Sequence, residues 1–140
     1  MDLKLVAQGL QFPEGPVAMA DGSVILVEIR RGTLTRVTPD GRRATLAELG
    51  GGPNGTAIGP DGAAYVCNNG LAWTWQDGEL NMPDGPPAEY RGGSIQRVDL
   101  ATGRFTTLYD HCDGKPLNAP NDLVFDAQGG FWFTCLGQSD

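Results

Sequence analysis

The sequence is poor in histidine and cysteine. Its 140 residues include one histidine and three cysteines, Cys67, Cys112 and Cys135. The cysteines lie too far apart for a close-spaced zinc motif, and their odd number cannot pair completely in disulfides. We expect all three to be reduced and buried, as free cysteines commonly are. The single histidine, His111, follows Asp110 in a predicted loop, and we expect it to be a surface residue rather than a catalytic base.

Long hydrophobic runs and basic clusters are also missing. Apolar stretches such as Val24 to Val27 are far shorter than the roughly 20 residues that span a bilayer, and the first residues lack the pattern of a signal peptide. Lys and Arg number 10 against 17 Asp and Glu, giving a net charge of −7. Without a basic face the chain is a poor ligand for nucleic acid. We therefore expect a soluble cytoplasmic protein that binds neither membranes nor nucleic acids.

Turn-forming residues, in contrast, are abundant. The chain contains 21 glycines and 10 prolines, and they are spread between short apolar runs rather than gathered in low-complexity segments. Frequent turns between short apolar runs are typical of an all-β protein.

A short motif occurs three times along the chain. Asp-Gly or Gln-Gly follows each copy at the same offset, and an apolar run follows that pair, which predicts a β-hairpin in every copy. The copies are Pro13-Glu14-Gly15, Pro53-Asn54-Gly55 and Pro120-Asn121-Asp122.

Alternating segments after the first two hairpins complete a unit of four antiparallel strands. The predicted strands are 16–19, 23–29, 33–37 and 43–49 in the first unit and 56–58, 63–68, 93–99 and 104–109 in the second. Repeated four-stranded units predict a β-propeller. A series of separate hairpins or an immunoglobulin-like sandwich is the alternative, but a sandwich does not explain why the motif begins one strand in each unit. The predicted boundaries are about 10–50 for blade 1, 51–112 for blade 2 with an aromatic insertion at 70–92, and 117–140 for the start of blade 3.

The first strand of each unit is expected to line the propeller axis, which would bring Glu14, Asn54 and Asn121 together at one mouth of the channel. Carboxylate and carboxamide oxygens suit a hard divalent cation such as Ca²⁺. For Asn54 taken alone, a turn residue remains as good an interpretation as a site residue, because asparagine tolerates turn conformations.

The motifs taken together resemble the SMP-30/gluconolactonase/LRE-like family of six-bladed propellers. The resemblance rests on Pro13-Glu14-Gly15-Pro16, Pro53-Asn54-Gly55, Tyr65-Val66-Cys67-Asn68-Asn69, Ala119-Pro120-Asn121-Asp122 and Phe131-Trp132-Phe133-Thr134. It implies about two and a half of six blades. It also implies a lactonase that opens a sugar lactone to the aldonic acid with a divalent metal, Ca²⁺ first, with Zn²⁺, Mn²⁺ or Mg²⁺ as alternatives.

The resemblance also implies roles for individual residues. Glu14 and Asn121 match metal ligands, and Asn54, Asn68 and Asn69 match positions that face substrate. No catalytic residue falls within the chain, because the family's proposed base would lie beyond residue 140. A missing C-terminal half or a second chain would complete the propeller.

Other functions stay open at this point. A non-catalytic calcium-binding or protein-interaction propeller, with the insertion around Trp73 and Trp75 as a contact surface, is the alternative from another class. Phosphotriesterase activity is the alternative among enzymes.

Overall fold

The computed structural model describes residues 3–76, 78 and 82–137, and in this part of the chain the backbone forms strands and turns. No helix in the described ranges could span a membrane. The strands are β1 (Pro13–Ala18), β2 (Val24–Glu28), β3 (Thr33–Val37), β4 (Arg43–Glu48), β5 (Pro53–Ile58), β6 (Ala64–Asn68), β7 (Trp75–Gln76), β8 (Met82–Pro83), β9 (Ser94–Val98), β10 (Phe105–Tyr109), β11 (His111–Cys112), β12 (Lys115–Pro116), β13 (Pro120–Phe125) and β14 (Phe131–Cys135).

These strands form sheets that follow the predicted units. The first sheet is antiparallel with the order β1-β2-β3-β4, and the second has the order β5-β6-β9-β10. Strands β13 and β14 pair as a hairpin, the start of a third sheet. The all-β partial propeller of four-stranded antiparallel blades is therefore confirmed. Two small hairpins, β7 with β8 and β11 with β12, lie in segments predicted as loops.

The innermost strands begin earlier than predicted. Strand β1 begins at Pro13 and β5 at Pro53, three residues before the predicted starts at 16 and 56. The cause is a β-bulge, since the register of β1 on β2 shifts between Glu14 and Val17. The extra residue lets the motif pair with the neighbouring strand. It also bends its own strand and redirects the side chain at the bulge. The same shift occurs in β5 and β13 just after their prolines.

The sheets stack face to face, and the core consists of the layers between them. Alternate residues of a strand point to opposite faces, so the second sheet contributes to both layers. The first layer contains Ile25, Val27, Leu34, Ala47, Ala64, Val66 and Val98, and the second contains Cys67, Ile95, Leu117 and Leu123 with Tyr65, Phe125, Phe131 and Phe133 packed against them.

The expectation of three buried cysteines is wrong for two of them. Cys67 lies in the second core layer and is fully buried, whereas Cys112 and Cys135 are exposed. Cys112 belongs to the small surface hairpin of β11 and β12. Cys135 ends β14, which has no second neighbouring strand among the described residues. His111 is exposed as expected and contacts Asp110 at 3.0 Å.

Two glycines set the spacing between the innermost strands. A Cβ on Gly15 would lie 2.6 Å from the backbone N of Thr56, and one on Gly55 would lie 2.5 Å from the backbone O of Asn121 and 2.6 Å from the Cα of Asp122. Cβ atoms do not approach nonbonded backbone atoms this closely. The backbones of β1, β5 and β13 can therefore adopt this spacing only because these positions lack a side chain.

We predict that Gly55→Ala lowers the free energy of unfolding by about 2 kcal/mol, because the added methyl group must push β13 away from β5. Gly85→Ala is the matched control, since a Cβ there would meet no atom within 4 Å. Urea denaturation of both variants measures the effect. Equal stability of the two variants would contradict the close-approach argument.

Candidate functional site

The heads of the three innermost strands lie in a row at one end of the molecule. Gly15 approaches Asn54 and Thr56, and Gly55 approaches Asn121 and Asp122, so the repeated motifs are side by side. We name this the motif end.

The strands β2, β6 and β14 end at the motif end, because antiparallel pairing places the last residue of each opposite the first residue of its partner. The pairs are Glu28 with Pro13, Asn68 with Pro53 and Cys135 with Pro120. The insertion leaves β6 after Asn68 and returns to β9 at Ser94, which pairs with Asn68, so both ends of the insertion lie at the motif end.

Asn54 and Asn121 are in direct contact across two blades. The Nδ2 atom of Asn54 donates a hydrogen bond of 3.0 Å to Oδ1 of Asn121. Asn54 is only 6% exposed, and its own Oδ1 makes no hydrogen bond to any described residue. The Nδ2 atom of Asn121 donates to Oγ1 of Thr134 at 3.4 Å. Each carboxamide oxygen therefore keeps at least one lone pair that is not used within the described protein.

Glu14 supplies a negative charge at the same end. Its side chain is exposed, and its one hydrogen bond to the described residues is a long contact of 3.4 Å from the backbone N of Gly15 to Oε2. A carboxylate with this little internal bonding has its lone pairs available to a ligand.

A second carboxylate at this end, Asp122, was missed by the sequence reasoning. It occupies the place in the third motif that glycine occupies in the other two, and a Cβ on Gly55 would lie 2.6 Å from its Oδ1. The backbone N of Leu123 donates to that oxygen at 2.9 Å. The signal was present in the repeat itself, because aspartate replaces glycine only in this copy.

Asn68 is occupied by structural hydrogen bonds. It is 3% exposed, its Oδ1 accepts from the backbone N of Gly52 and of Gly70, and its Nδ2 donates to Gly50 O and to Gln96 Oε1. These four bonds connect three segments of the second blade.

Asn69 is completely buried beside it. Its Oδ1 accepts from the backbone N of Ala72 at 3.2 Å, whereas its Nδ2 has no partner within the described protein. Contact of Asn68 or Asn69 with substrate stays a prediction.

The insertion forms an aromatic wall beside the motif end. Trp75 packs on Phe12 with ring centroids 5.3 Å apart, and Trp73 meets Trp75 edge-on at 6.5 Å. The guanidinium of Arg30 lies 5.9 Å from the Trp75 ring. Phe12 is two residues from Glu14, so the insertion reaches across from the second blade to the first. A cavity of about 310 Å³ lies next to this wall and is lined by Ala72, Trp73, Pro83, Asp84, Gly85, Pro86 and Gly137.

Cys67 is not suited to act as a nucleophile. Burial raises the pKa of the Cys67 thiol to about 12, and the charge of Asp122 acts in the same direction. A thiol with this pKa is protonated near neutral pH and is a poor nucleophile.

The donor chemistry of the motif end fits a hard cation. In the described ranges, no group of three or more histidine, cysteine, aspartate or glutamate side chains could hold a metal. The available atoms are instead a carboxylate and carboxamide oxygens from Glu14, Asn54 and Asn121. Such oxygens are ligands for Ca²⁺, Mg²⁺ and Mn²⁺.

A buried carboxylate near this end has a structural role. Glu28 is 2% exposed, and it accepts hydrogen bonds from the backbone N of Gln11 at 2.7 Å, from Arg31 Nε at 2.8 Å and from Thr35 Oγ1 at 2.7 Å. Burial alone would raise the pKa of Glu28, but the bonds from Gln11, Arg31 and Thr35 outweigh it and lower the pKa. The ionised carboxylate therefore connects the segment before β1 to the first sheet.

The architecture defines the class of protein: stacked four-stranded blades with their first strands side by side form part of a β-propeller. Solved structures share this fold. A gluconolactonase from Xanthomonas campestris superposes with a TM-score of 0.67 at 24% identity, over 89% of this chain and 35% of that one. A second structure, described as a putative gluconolactonase, gives a TM-score of 0.67 at 23% identity over 93% of this chain and 38% of its own length.

The chain belongs to the SMP-30/gluconolactonase/LRE-like family, whose model matches residues 12–140. The curated gluconolactonase of Zymomonas mobilis subsp. mobilis is 26% identical over 94% of this chain. The chain spans 35% of the length of that relative.

We predict that Asn54→Asp destabilises the fold by about 1–3 kcal/mol at pH 7, because it removes the Nδ2 donor and places an acceptor against Asn121 Oδ1. Thermal denaturation measures the effect, without Ca²⁺ and with Ca²⁺ at about 5–10 mM, which is well above the dissociation constants of roughly 0.1–1 mM of weak sites. Asn118→Asp, at an exposed position, is the control. A stability equal to that of the control would contradict the contact between the two carboxamides.

We predict that the stabilisation contributed by Glu28 is present above about pH 4.5, its ordinary pKa, and is lost as the pH falls through its lower folded-state pKa. Glu28→Gln should therefore be less stable at pH 7 and lose less stability than the wild type between about pH 5 and pH 3. Urea denaturation across this range measures both. Glu48→Gln, at an exposed position, is the control variant. A pH dependence of stability in Glu28→Gln equal to that of the wild type would contradict the role of Glu28.

Proposed function

We propose that the protein takes part in the metal-dependent hydrolysis of a sugar lactone to the aldonic acid, with Glu14 and Asn121 as metal ligands in this chain. The observation that carries the proposal is the contact between Asn54 and Asn121. It holds two repeat heads together and leaves an oxygen of each side chain available. Family membership and relatives named as gluconolactonases support the substrate class.

The proposed chemistry needs an electrophile for the lactone carbonyl. A bound divalent cation, Ca²⁺ first, would polarise that carbonyl and stabilise the negative charge that develops on its oxygen. Glu14 would contribute the anionic ligand and Asn121 a neutral one. Asn54 would orient Asn121 through its Nδ2 donor, in the way that outer hydrogen bonds orient metal ligands. We assign no general base to residues 1–140.

The aromatic wall supports a sugar-like substrate. Sugar rings present C–H groups on their faces, and these groups are attracted to the negative face of an aromatic ring. Trp73 is half-buried and lines the adjacent cavity together with Asp84. Under the proposal, a carboxylate beside an aromatic ring would bind hydroxyl groups of the substrate while the ring packs on its carbon face.

We predict that Glu14→Gln and Asn121→Ala each weaken binding of Mn²⁺ or Ca²⁺ about tenfold or more, because each removes an oxygen ligand or its charge. Isothermal titration calorimetry measures the affinity. Glu48→Gln is the charge-matched control, since Glu48 also lies at a strand end but on the outer strand β4. Unchanged affinity in both site variants would reject the metal assignment.

A non-catalytic propeller that binds a cation or a partner through the Trp73–Trp75 surface is the second candidate. Its support is the aromatic cluster itself, which is only half-buried. Proton release from glucono- and xylonolactone separates the two functions when it is measured for the chain and for any longer natural product that contains it. Metal-dependent turnover supports the enzyme, and its absence in a metal-loaded protein supports the binding module.

A further inference from the structure

Tyr90 connects two blades through its hydroxyl group. The residue lies near the end of the insertion and is half-buried. Its hydroxyl donates a 2.9 Å hydrogen bond to the carbonyl O of Asn69, and the backbone N of Ala119 donates a 2.8 Å hydrogen bond to the same oxygen. The phenol therefore acts as donor to one blade and acceptor from the next.

The connection continues to Gly52, the residue that precedes β5. The backbone N of Asn69 donates to the carbonyl O of Gly52 at 2.8 Å. An unbroken series of hydrogen bonds therefore runs from Gly52 through Asn69 and Tyr90 to Ala119. Gly52 is the residue before Pro53-Asn54, and Ala119 is the residue before Pro120-Asn121. We name this series the Tyr90 bridge.

Ala119 has particular need of this partner. It is fully buried, and its φ of 53° lies in the left-handed region, which is unfavourable for residues other than glycine. Its backbone N–H would be buried without a partner if the Tyr90 hydroxyl were absent, a costly arrangement. The bridge therefore holds a strained residue directly in front of the motif that carries Asn121.

We propose that Tyr90 is a positioning residue of the motif end, which sets the distance and orientation of Asn121 relative to Asn54. The effect of Tyr90 on metal binding rests on the proposed function, whereas its effect on the two carboxamides does not. Within the described ranges, the Tyr90 hydroxyl bonds to backbone atoms of Asn69 and Ala119 and to neither carboxamide. It acts through the backbone at Gly52 and Ala119, which fixes the positions from which the Asn54 and Asn121 side chains extend.

The same geometry gives the insertion a second role. At its start, the backbone N of Gly70 and of Ala72 donate hydrogen bonds to the side chains of Asn68 and Asn69, respectively. Near its end, the Tyr90 hydroxyl makes the hydrogen bonds of the bridge. The segment that supplies the aromatic wall thus also spaces the strand heads, so a change in the insertion would be transmitted to the site.

Tyr90→Phe tests the inference, because it removes only the hydroxyl and keeps the ring. Tyr65→Phe is the matched control: the Tyr65 hydroxyl also donates one hydrogen bond, to Asp61 Oδ2 at 3.3 Å, but near the opposite end of β6. Three quantities are measured for the wild type and both variants: Mn²⁺ affinity by calorimetry, the melting temperature, and the side-chain amide NMR signals of Asn54 and Asn121.

We expect Tyr90→Phe to weaken Mn²⁺ binding about fivefold or more, because it removes both hydrogen bonds of the Tyr90 hydroxyl behind the Asn121 ligand. The signals of both carboxamides should move. Tyr65→Phe should leave the affinity within about twofold and the signals in place. A purely structural role for Tyr90 would lower the melting temperature without changing affinity far below it, and that result would overturn the inference.

The outcomes separate this inference from the proposed function. If the wild type binds no Mn²⁺, the metal site is rejected, and the bridge is decided by the carboxamide signals: movement in Tyr90→Phe alone supports it, and unchanged signals overturn it. If Tyr90→Phe does not fold, hydrogen exchange of the wild-type Ala119 amide decides. Exchange at neutral pH as slow as that of the amides inside the second sheet supports the bridge, and exchange as fast as that of an exposed loop amide overturns it.

Discussion

The close approach of the innermost strands is the constraint on which the rest of the structure depends. Gly15 and Gly55 leave room for one backbone to lie directly against the next. This spacing brings Asn54 within hydrogen-bonding distance of Asn121 and leaves the layers between the blades to be filled by larger apolar side chains. A site shared among blades is possible because each blade contributes one bulged motif to the same small region.

The motif end is held together mainly by amide and backbone hydrogen bonds, whereas the layers between the blades are apolar. Asn68 joins Gly50, Gly52, Gly70 and Gln96. Buried amides of this kind specify one arrangement of the surrounding backbone, since any other arrangement leaves polar atoms unpaired. The strand heads therefore lie on a backbone fixed by hydrogen bonds, and the carboxamide oxygens of Asn54 and Asn121 keep lone pairs that no donor in the described part of the chain uses.

The sequence predicted the architecture well because a propeller is a local pattern repeated. Period-two alternation, turns at fixed offsets and the motif at 13, 53 and 120 were sufficient for the order and the antiparallel pairing of the strands in the four-stranded sheets. The sequence did not predict the first residues of β1 and β5, because a bulge depends on which residue of the partner strand lies opposite. It also failed for Cys112 and Cys135, since burial depends on what packs against a strand.

Repeat comparison by itself also singled out Glu14, Asn54 and Asn121, because equivalent positions of a repeat occupy equivalent places in space. Only the tertiary structure decided that Asn54 and Asn121 touch, that Asp122 lies beside them and that Tyr90 connects the backbones behind them. These contacts join residues far apart in the chain, and their distances are set by how two sheets stack. Sequence periodicity describes one sheet at a time and carries no information on that stacking.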